Sequence, residues 1–458
     1  MENVKVRIEN EVSGGMKYRY RTDEEMKDSG VEWIGKIPKE WSISRISKEF
    51  IIRNEKVSDK DFAALSVTKQ GILPQLDSVA KSDNGDNRKR VCVGDFVINS
   101  RADRKGSCGT SSYDGSVSLI CNVLTPKYLD PQYIHSLFRN YYFSEEFYRW
   151  GSGIVDDLWS TNIEKMKKIN IPKPNKNEDK KIAKFLDKKT AQFDSIISKK
   201  EALIEKLEEA KKSLISEVVT GKVRVVKTDD GYELVERTKE EMKDSGVEWL
   251  EDIPKEWDVK RLRFLGSLQN GISKSSDEFG FGYPFVSYGD VYKNIELPKE
   301  VKGLVNSSIQ DRKIYSVEEG DVLFTRTSET VEEIGFASTC LEEIKDATFA
   351  GFLIRFRPNS NRLFKGFSKY YFRCDLNRKF FVKEMNLVTR ASLSQNLLNN
   401  LSVLLPSYEE QKEIYLALEL NVNSINDGIS KIRYQIEKLK EAKQSLISEA
   451  VTGKIEIL

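Results

Sequence analysis

Histidine is nearly absent. The 458-residue chain holds one, His135. That excludes His-based zinc sites and most Ser-His or Cys-His catalytic machinery. Cys92, Cys108, Cys121, Cys340 and Cys374 are five cysteines, an odd number with no C-x-x-C pair. Neither a zinc knuckle nor a disulfide framework follows, and reduced, mostly buried thiols are expected. No apolar run approaches the ~20 residues of a membrane span, and the opening MENVKVRIEN has no apolar leader core. A soluble, cytoplasmic protein with no membrane partner is expected. No G-x-x-x-x-G-K-[ST] phosphate loop occurs, so direct ATP use is not expected. Pro-Pro is missing, and with it the Asn-Pro-Pro-aromatic motif of amino-methyltransferases. Phe279-Gly280-Phe281-Gly282 lacks the strand–turn–helix setting of a dinucleotide or methyl-donor loop and reads as a turn. Asp258-Val259-Lys260 mimics half of a nuclease D-x-K, but no partner carboxylate is evident. His135, in the helical-looking YIHSLF, reads as a packed side chain.

Charge of either sign is abundant and almost balanced, with 74 Lys+Arg against 72 Asp+Glu for a net +2. Charged residues make up 32% of the chain, a richness that goes with long solvated helices. The distribution is less even than the total. Ser42–Asn177 carries about +5 and Asp258–Tyr408 about +3, which favours anionic partners for those two regions.

The most informative feature is self-similarity. Met26–Trp33 reads MKDSGVEW, and so does Met242–Trp249; both continue to I-P-K-E-W, at Ile37–Trp41 and Ile253–Trp257. Further on, Glu205–Lys222 (EKLEEAKKSLISEVVTGK) is nearly repeated at Glu437–Lys454 (EKLKEAKQSLISEAVTGK). The chain is a duplication in which near-identical frames flank divergent inserts. Frames of that kind suit constant contacts, and inserts suit variable ones. The phrase Val4–Ile8 resembles Lys222–Val226, and Lys454–Leu458 repeats it. The chain therefore starts roughly where it stops, which implies a pseudo-two-fold internal repeat.

Lys180–Thr220 and its copy have helical composition, without internal proline. A strict 4-3 seam would run through Ile182, Leu186, Lys189, Phe193, Ile196, Lys200, Leu203, Leu207, Ala210 and Leu214. In the copy it would run through Ile414, Leu418, Asn421, Ile425, Gly428, Ile432, Gln435, Leu439, Ala442 and Leu446. Each helix leaves an apolar stripe that its counterpart can cover, and the pseudo-two-fold makes the pair antiparallel. The expected architecture is α+β: two mixed α/β inserts separated by a long antiparallel two-helix coiled coil.

Both inserts alternate short β-branched runs with Gly/Asn/Asp/Ser turns. Faint equivalences survive between them: Gly94-Asp95 with Gly320-Asp321, Gly109 with Gly335, and Tyr133–Arg139 with Phe367–Arg373. Cationic, amide and hydroxyl side chains cluster where the strands end. Arg and Lys can fork onto guanine, and Gln and Asn onto adenine. Candidate DNA contacts are Lys69, Gln70, Arg101, Arg104 and Lys105 in the first insert. Those in the second are Tyr288, Arg326, Thr327, Ser328 and Arg390.

The repeated opening resembles the specificity subunit of type I restriction-modification systems. So do Leu405-Pro406 with Glu410-Gln411 and Ile414 at a helix start, and the L-x-x-A-K-x-S-L-I-S-E-x-V-T-G-K ending. The likeness spans essentially the whole chain. One departure is Ile171-Pro172-Lys173-Pro174 with Glu178-Asp179, which lacks the Gln. The resemblance implies a non-catalytic subunit with two target-recognition domains, each reading half of a split, asymmetric double-stranded DNA site. It implies two modification subunits that carry S-adenosylmethionine and methylate adenine. It also implies restriction (motor-nuclease) subunits that use ATP and Mg2+, with no cofactor in this chain. The corresponding division is 1–41, 42–177, 178–222, 223–257, 258–408 and 409–458. These are a first frame, a recognition domain, a long helix, a connector, a second recognition domain and a second long helix. The competing reading is an enzyme with its own DNA methyltransferase or nuclease activity, which the missing motifs oppose.

Overall fold

A computed structural model describes residues 17–75, 85–153, 159–328, 334–384 and 391–458. The chain forms two compact units, one of 17–202 with Ile432–Leu458 and the other of Leu203–Lys431. Each unit contains a frame, an insert and part of both long helices, which run over Glu178–Val219 and Tyr408–Val451. Among the described residues, no helix is long and apolar enough to cross a membrane.

Packing explains the repeated phrases. In the first unit a hairpin, Met26–Asp28 with Lys36–Pro38, brings Pro38 and Trp41 against the end of the second long helix. Gly453 follows that helix at φ +73°, and a Cβ there would lie 2.6 Å from Pro38 and 3.1 Å from Trp41. The left-handed backbone and the close approach together require glycine. Trp41 is buried, and its Nε1–H donates to Glu178 Oε2 at 2.7 Å, at the start of the first long helix. Arg21 donates to Glu178 Oε1 at 2.7 Å and to the Gly453 carbonyl at 2.8 Å. The second unit repeats the joint. Gly221, at φ +75°, backs onto Pro254 and Trp257. Trp257 and Arg237 donate to Glu410 at 3.0 and 2.8 Å. I-P-K-E-W and V-T-G-K are two sides of one contact.

The departure at Glu178-Asp179 keeps half of that chemistry. Buried Gln411 accepts from the Phe364 N–H at 2.8 Å and donates to the carbonyls of Arg362 and Pro406. Asp179, its counterpart, accepts from the Asp130 N–H at 2.8 Å. A carboxylate can accept but has no N–H for the two carbonyls.

The first and last described strands meet. Tyr18–Tyr20 pairs antiparallel with Ile455–Ile457, placing Tyr20 opposite Ile455. The mid-chain hairpin Val223–Thr228 with Gly231–Glu236 places Glu236 opposite Val223 in the same relative register. Val4–Ile8, which resembles Lys222–Val226, lies outside the described residues; Tyr18–Tyr20 is the counterpart of Leu234–Glu236.

Each insert is closed by a strand pair, Ser42–Arg45 with Asn170–Lys173 and Asp258–Arg261 with Ser402–Leu405. Each contains an antiparallel four-stranded sheet of the same order. In the first it is Cys108–Thr110, Phe96–Asn99, Cys121–Pro126, Phe50–Ile52. In the second it is Ala337–Thr339, Val322–Thr325, Leu353–Pro358, Gly266–Asn270. The Gly-Asp pairs open equivalent strands, with both glycines at φ +88°. Buried Asp95 accepts from the Cys92 N–H and from Arg53, and buried Asp321 from the Glu318 N–H and Arg357. Burial pushes the Asp321 carboxyl above its ordinary range, against the pull of Arg357.

Two sequence expectations need correction. Gly109 pairs with Val97 while Ser338 pairs with Leu323, the counterpart of Val97, so Gly109 answers Ser338 rather than Gly335. The loop before this strand is longer in the second insert, which carried the glycine out of alignment. Phe279–Val286 is a strand, not a turn, and both Phe279 and Tyr283 lie opposite Val305. Gly280 and Gly282, at φ +93° and +97°, make the bulge possible.

The helix seam also departs from expectation. In the first unit Asp194 pairs with Lys443 at 2.6 Å and Lys200 donates to Gln435 at 2.8 Å, so the helices run antiparallel. In the second, Lys211 donates to Asn426 at 3.0 Å, the same contact with the copies exchanged. The strict 4-3 seam fails beyond Phe193, because Leu203 is 45% exposed whereas Ile197 is 8% exposed. Ala210 and Gln435 are exposed as well. One extra four-residue step, Phe193 to Ile197 and Ile425 to Ile429, re-centres the face. It then passes through Lys200, Ile204, Leu207, Lys211, Leu214 and Val218, all buried or half-buried. A helix of 3.6 residues per turn drifts off a 3.5-residue repeat, and such a step absorbs the drift.

Ile197→Ala is expected to destabilise the chain by about 2 kcal/mol or more, and Leu203→Ala by less than ~0.5 kcal/mol. Urea unfolding of the two variants checks the shifted seam, and equal losses would restore the strict one.

Candidate nucleic-acid interface

In the first insert the four residues of Phe96–Asn99 are all buried, so the chain leaves the core at Ser100. Asn99 Oδ1 accepts from the Arg101 N–H at 3.1 Å and turns the chain. The Thr161 N–H donates to the Ser100 carbonyl, and the Ala102 N–H to the Trp159 carbonyl, both at 2.9 Å. A 3-10 turn, Ala102–Arg104, follows. These bonds give Arg101, Arg104 and Lys105 a fixed backbone with exposed side chains. Arg104 lies 3.5 Å from Asp103, and the Lys105 ammonium is paired with Glu145 on the helix Tyr141–Arg149.

Lys69 and Gln70 form the exposed tip of a hairpin, Leu65–Thr68 with Gly71–Pro74. A Cβ on Gly109 would lie 3.2 Å from Gly71 Cα, so the hairpin backbone rests directly on the sheet. Half-buried Arg139 donates from one nitrogen to the Cys108 carbonyl at 2.7 Å and from the other to the Lys69 carbonyl at 2.5 Å. One guanidinium therefore joins the tip that carries Lys69 and Gln70 to the strand that follows the Arg101–Lys105 loop.

In the second insert the Leu393 N–H donates to the Arg326 carbonyl at 2.7 Å, the counterpart of Thr161 to Ser100. Thr327–Ser328 pairs with Ala391–Ser392, as Arg101 bridges Ser160. Thr327 thus stands where Arg101 does, and both Arg326 and Thr327 are half-buried. Tyr288 opens the helix Tyr288–Lys293 and stacks on Tyr292 with centroids 5.8 Å apart, so its ring serves packing. Arg373 donates to the carbonyls of Ala337 at 3.2 Å, Val291 at 3.1 Å and Tyr292 at 2.7 Å. Arg390 lies outside the described residues.

Burial keeps His135 and three of the cysteines in their neutral forms near pH 7. Burial lowers His135 to about 4, and its Nδ1 accepts from the Thr110 N–H at 3.2 Å, so it is neutral near pH 7. Burial pushes the Cys108 thiol up to about 11 and Cys121 and Cys340 to about 12. Among the described residues, no cluster of His, Cys, Asp and Glu could hold a metal ion.

Residues 44–208 and 254–438 match the type I restriction modification DNA specificity domain. The chain belongs to that family. It is 25% identical over 455 residues to the EcoKI specificity subunit of Escherichia coli K12, covering 92% of this chain and 90% of that one. It is 23% identical to the StySPI specificity subunit of Salmonella potsdam, with the same coverages. The HsdS subunit from Thermoanaerobacter tengcongensis superposes with a TM-score of 0.51 at 15% identity, covering 91% of this chain and 98% of that one. A chain from a type I system solved for complex assembly and conformational transition superposes with a TM-score of 0.68. It is also 15% identical and covers 91% of this chain and 99% of that one. This member of the family is a non-catalytic, DNA-recognising specificity subunit with two mixed α/β recognition domains.

Sequence reasoning missed Arg139 and Arg373, although both close the matched heptapeptides YIHSLFR and FSKYYFR. It also missed Tyr141 and Tyr142, 61% and 53% exposed on the helix that carries Glu145. Nothing in their spacing set them apart. Because Glu145 already holds Lys105, Glu145→Gln is expected to raise affinity for arbitrary duplex DNA by about two- to fivefold. Arg101→Ala is expected to lower the slope of log K against log salt by about 1. Fluorescence titrations at several salt concentrations check both, and unchanged values would remove this loop from the interface.

Proposed function

We propose that the recognition domains 42–177 and 258–408 read the two halves of a split, asymmetric DNA site, with Lys69, Gln70, Arg101, Arg104 and Lys105 facing the first half. Arg326, Thr327, Ser328, Tyr288 and Arg390 face the second. The observation that carries this reading is unequal repetition. The joints and four-stranded sheets are duplicated, while the element that the shared arginine holds against the sheet is a hairpin in one insert and a helix in the other. Duplicated surfaces suit two copies of one partner, and unlike reading elements suit two different half-sites. The frames accordingly bind two modification subunits, which carry S-adenosylmethionine and methylate adenine. Restriction subunits supply ATP- and Mg2+-dependent motion and cleavage. The complex acts in the cytoplasm. Lysine and arginine contacts to phosphate provide salt-dependent affinity, and base-edge contacts worth ~1–3 kcal/mol each provide discrimination.

Exchanging residues 42–177 for the equivalent domain of a relative is expected to change one half-site and leave the other intact in methylome sequencing. Change in both halves would defeat independent reading. The count of unread base pairs between the halves follows the length of the two helices. Adding seven residues to each, between Leu207 and Leu214 and between Leu439 and Leu446, adds about 10 Å. The same sequencing is expected to show a spacer about three base pairs longer at ~3.4 Å per step, and an unchanged spacer would refute the relation.

A further inference from the structure

We propose that Arg139 and Arg373 are positioning residues for base reading, each locking the variable element of its insert onto the shared sheet. The inference rests on the function proposed above. The two arginines are 234 residues apart and occupy one structural place, directly after the core phenylalanines Phe138 and Phe372. One nitrogen of each donates to the carbonyl that opens the equivalent strand, Cys108 at 2.7 Å and Ala337 at 3.2 Å. The other donates to what differs. In the first insert that is the hairpin tip, through the Lys69 carbonyl at 2.5 Å. In the second it is the helix Tyr288–Lys293, through the Tyr292 carbonyl at 2.7 Å.

A guanidinium is a planar fork with donors in fixed directions, so bonding two carbonyls sets their separation and angle; a lysine ammonium cannot do this. Both side chains are half-buried, and Arg373 also lies 4.3 Å from the centroid of the Phe336 ring, which packs on Tyr292. Their donors are turned to backbone carbonyls. In the first insert buried Leu65 and Ile72 anchor the hairpin strands in the core, and Arg139 fixes the exposed tip that extends beyond them. Base-edge bonds demand placement to within ~0.5 Å, whereas phosphate attraction tolerates a wandering tip. Loss of the fork therefore removes discrimination and leaves general affinity.

The test selects binders from a randomised duplex DNA library with the full chain, wild type, Arg139→Ala, Arg139→Lys and Arg373→Ala. Thermal midpoints and salt titrations are measured on each. Arg139→Ala is expected to cut preference at bases of one half-site by about tenfold. The other half-site, the salt slope and the affinity for arbitrary duplex should be unchanged. Arg139→Lys should behave like the alanine variant despite its charge, and Arg373→Ala should relax the opposite half-site. Equal loss in both half-sites with a lower thermal midpoint would make the role one of folding and overturn the inference. A slope reduced by about 1 would make the arginine a phosphate contact and overturn it too, and so would undiminished discrimination. A wild-type chain that enriches no two-part site would instead bring down the proposed function and this inference with it.

Discussion

Everything in each unit is built outward from one joint, in which a buried tryptophan ties the start of one long helix to the end of the other. Trp41 donates to Glu178 while its ring packs on Gly453, and Trp257 does the same with Glu410 and Gly221. A carboxylate this close to an indole has to be oriented, and an arginine performs that task in both units. In the second unit burial raises Glu410 above the ordinary carboxylate range while Trp257 and Arg237 hold it down. The joint also fixes where each insert begins and ends, because the closing strand pairs follow Trp41 and Trp257 directly and lead back to the helix starts.

On that base the inserts have diverged in a constrained manner. The sheets keep their order, the Gly-Asp turns keep a buried aspartate, and the exit loops keep the same backbone bond to a second segment. What changed is the source of the arginine that meets the aspartate and the element clamped beyond it. Arg53 comes from the chain just past an edge strand, while Arg357 lies on the neighbouring central strand, where the first insert has Thr125. A buried carboxylate needs a cation nearby but does not dictate which strand supplies it.

Much of this was legible in the sequence. Two near-identical phrases in the same order established duplication, and helical composition with flanking proline and glycine bracketed both long helices to within a few residues. The shifted seam was hidden in the first helix, where both registers share Lys200, Leu207 and Leu214 and Ile196 and Ile197 are chemically the same; in the copy, buried Ile429 and Ile436 beside Gly428 and Gln435 carried the signal, which a strict heptad register passed over. The bulged Phe279–Val286 strand was hidden by glycines that usually mark turns. Among the candidate contacts, Arg101, Arg104 and Lys105 stood out by composition. Arg139 did not, because its importance lies in two backbone carbonyls that no side-chain pattern reports. Tyr288 stacks on Tyr292, a packing contact that its spacing did not report.

The exchanged helix contact carries an implication for how the duplication is held in one chain. Lys443 meets Asp194, whereas its mate Lys211 meets Asn426, so one of the two crossings is an ion pair and the other is not. Two copies of the first half brought together in trans would place Lys211 against Asp194 at both crossings, and two copies of the second would place Lys443 against Asn426 at both. Exchanging two unlike pairings for one of each like kind therefore leaves two ion pairs in all, so charge at these positions favours neither, and each exposed pair contributes no more than ~1 kcal/mol. Covalent linkage supplies the preference instead, because a tethered partner is present at about millimolar effective concentration. The association of unlike halves is a property of the peptide bond between them, leaving the helix surfaces free to drift.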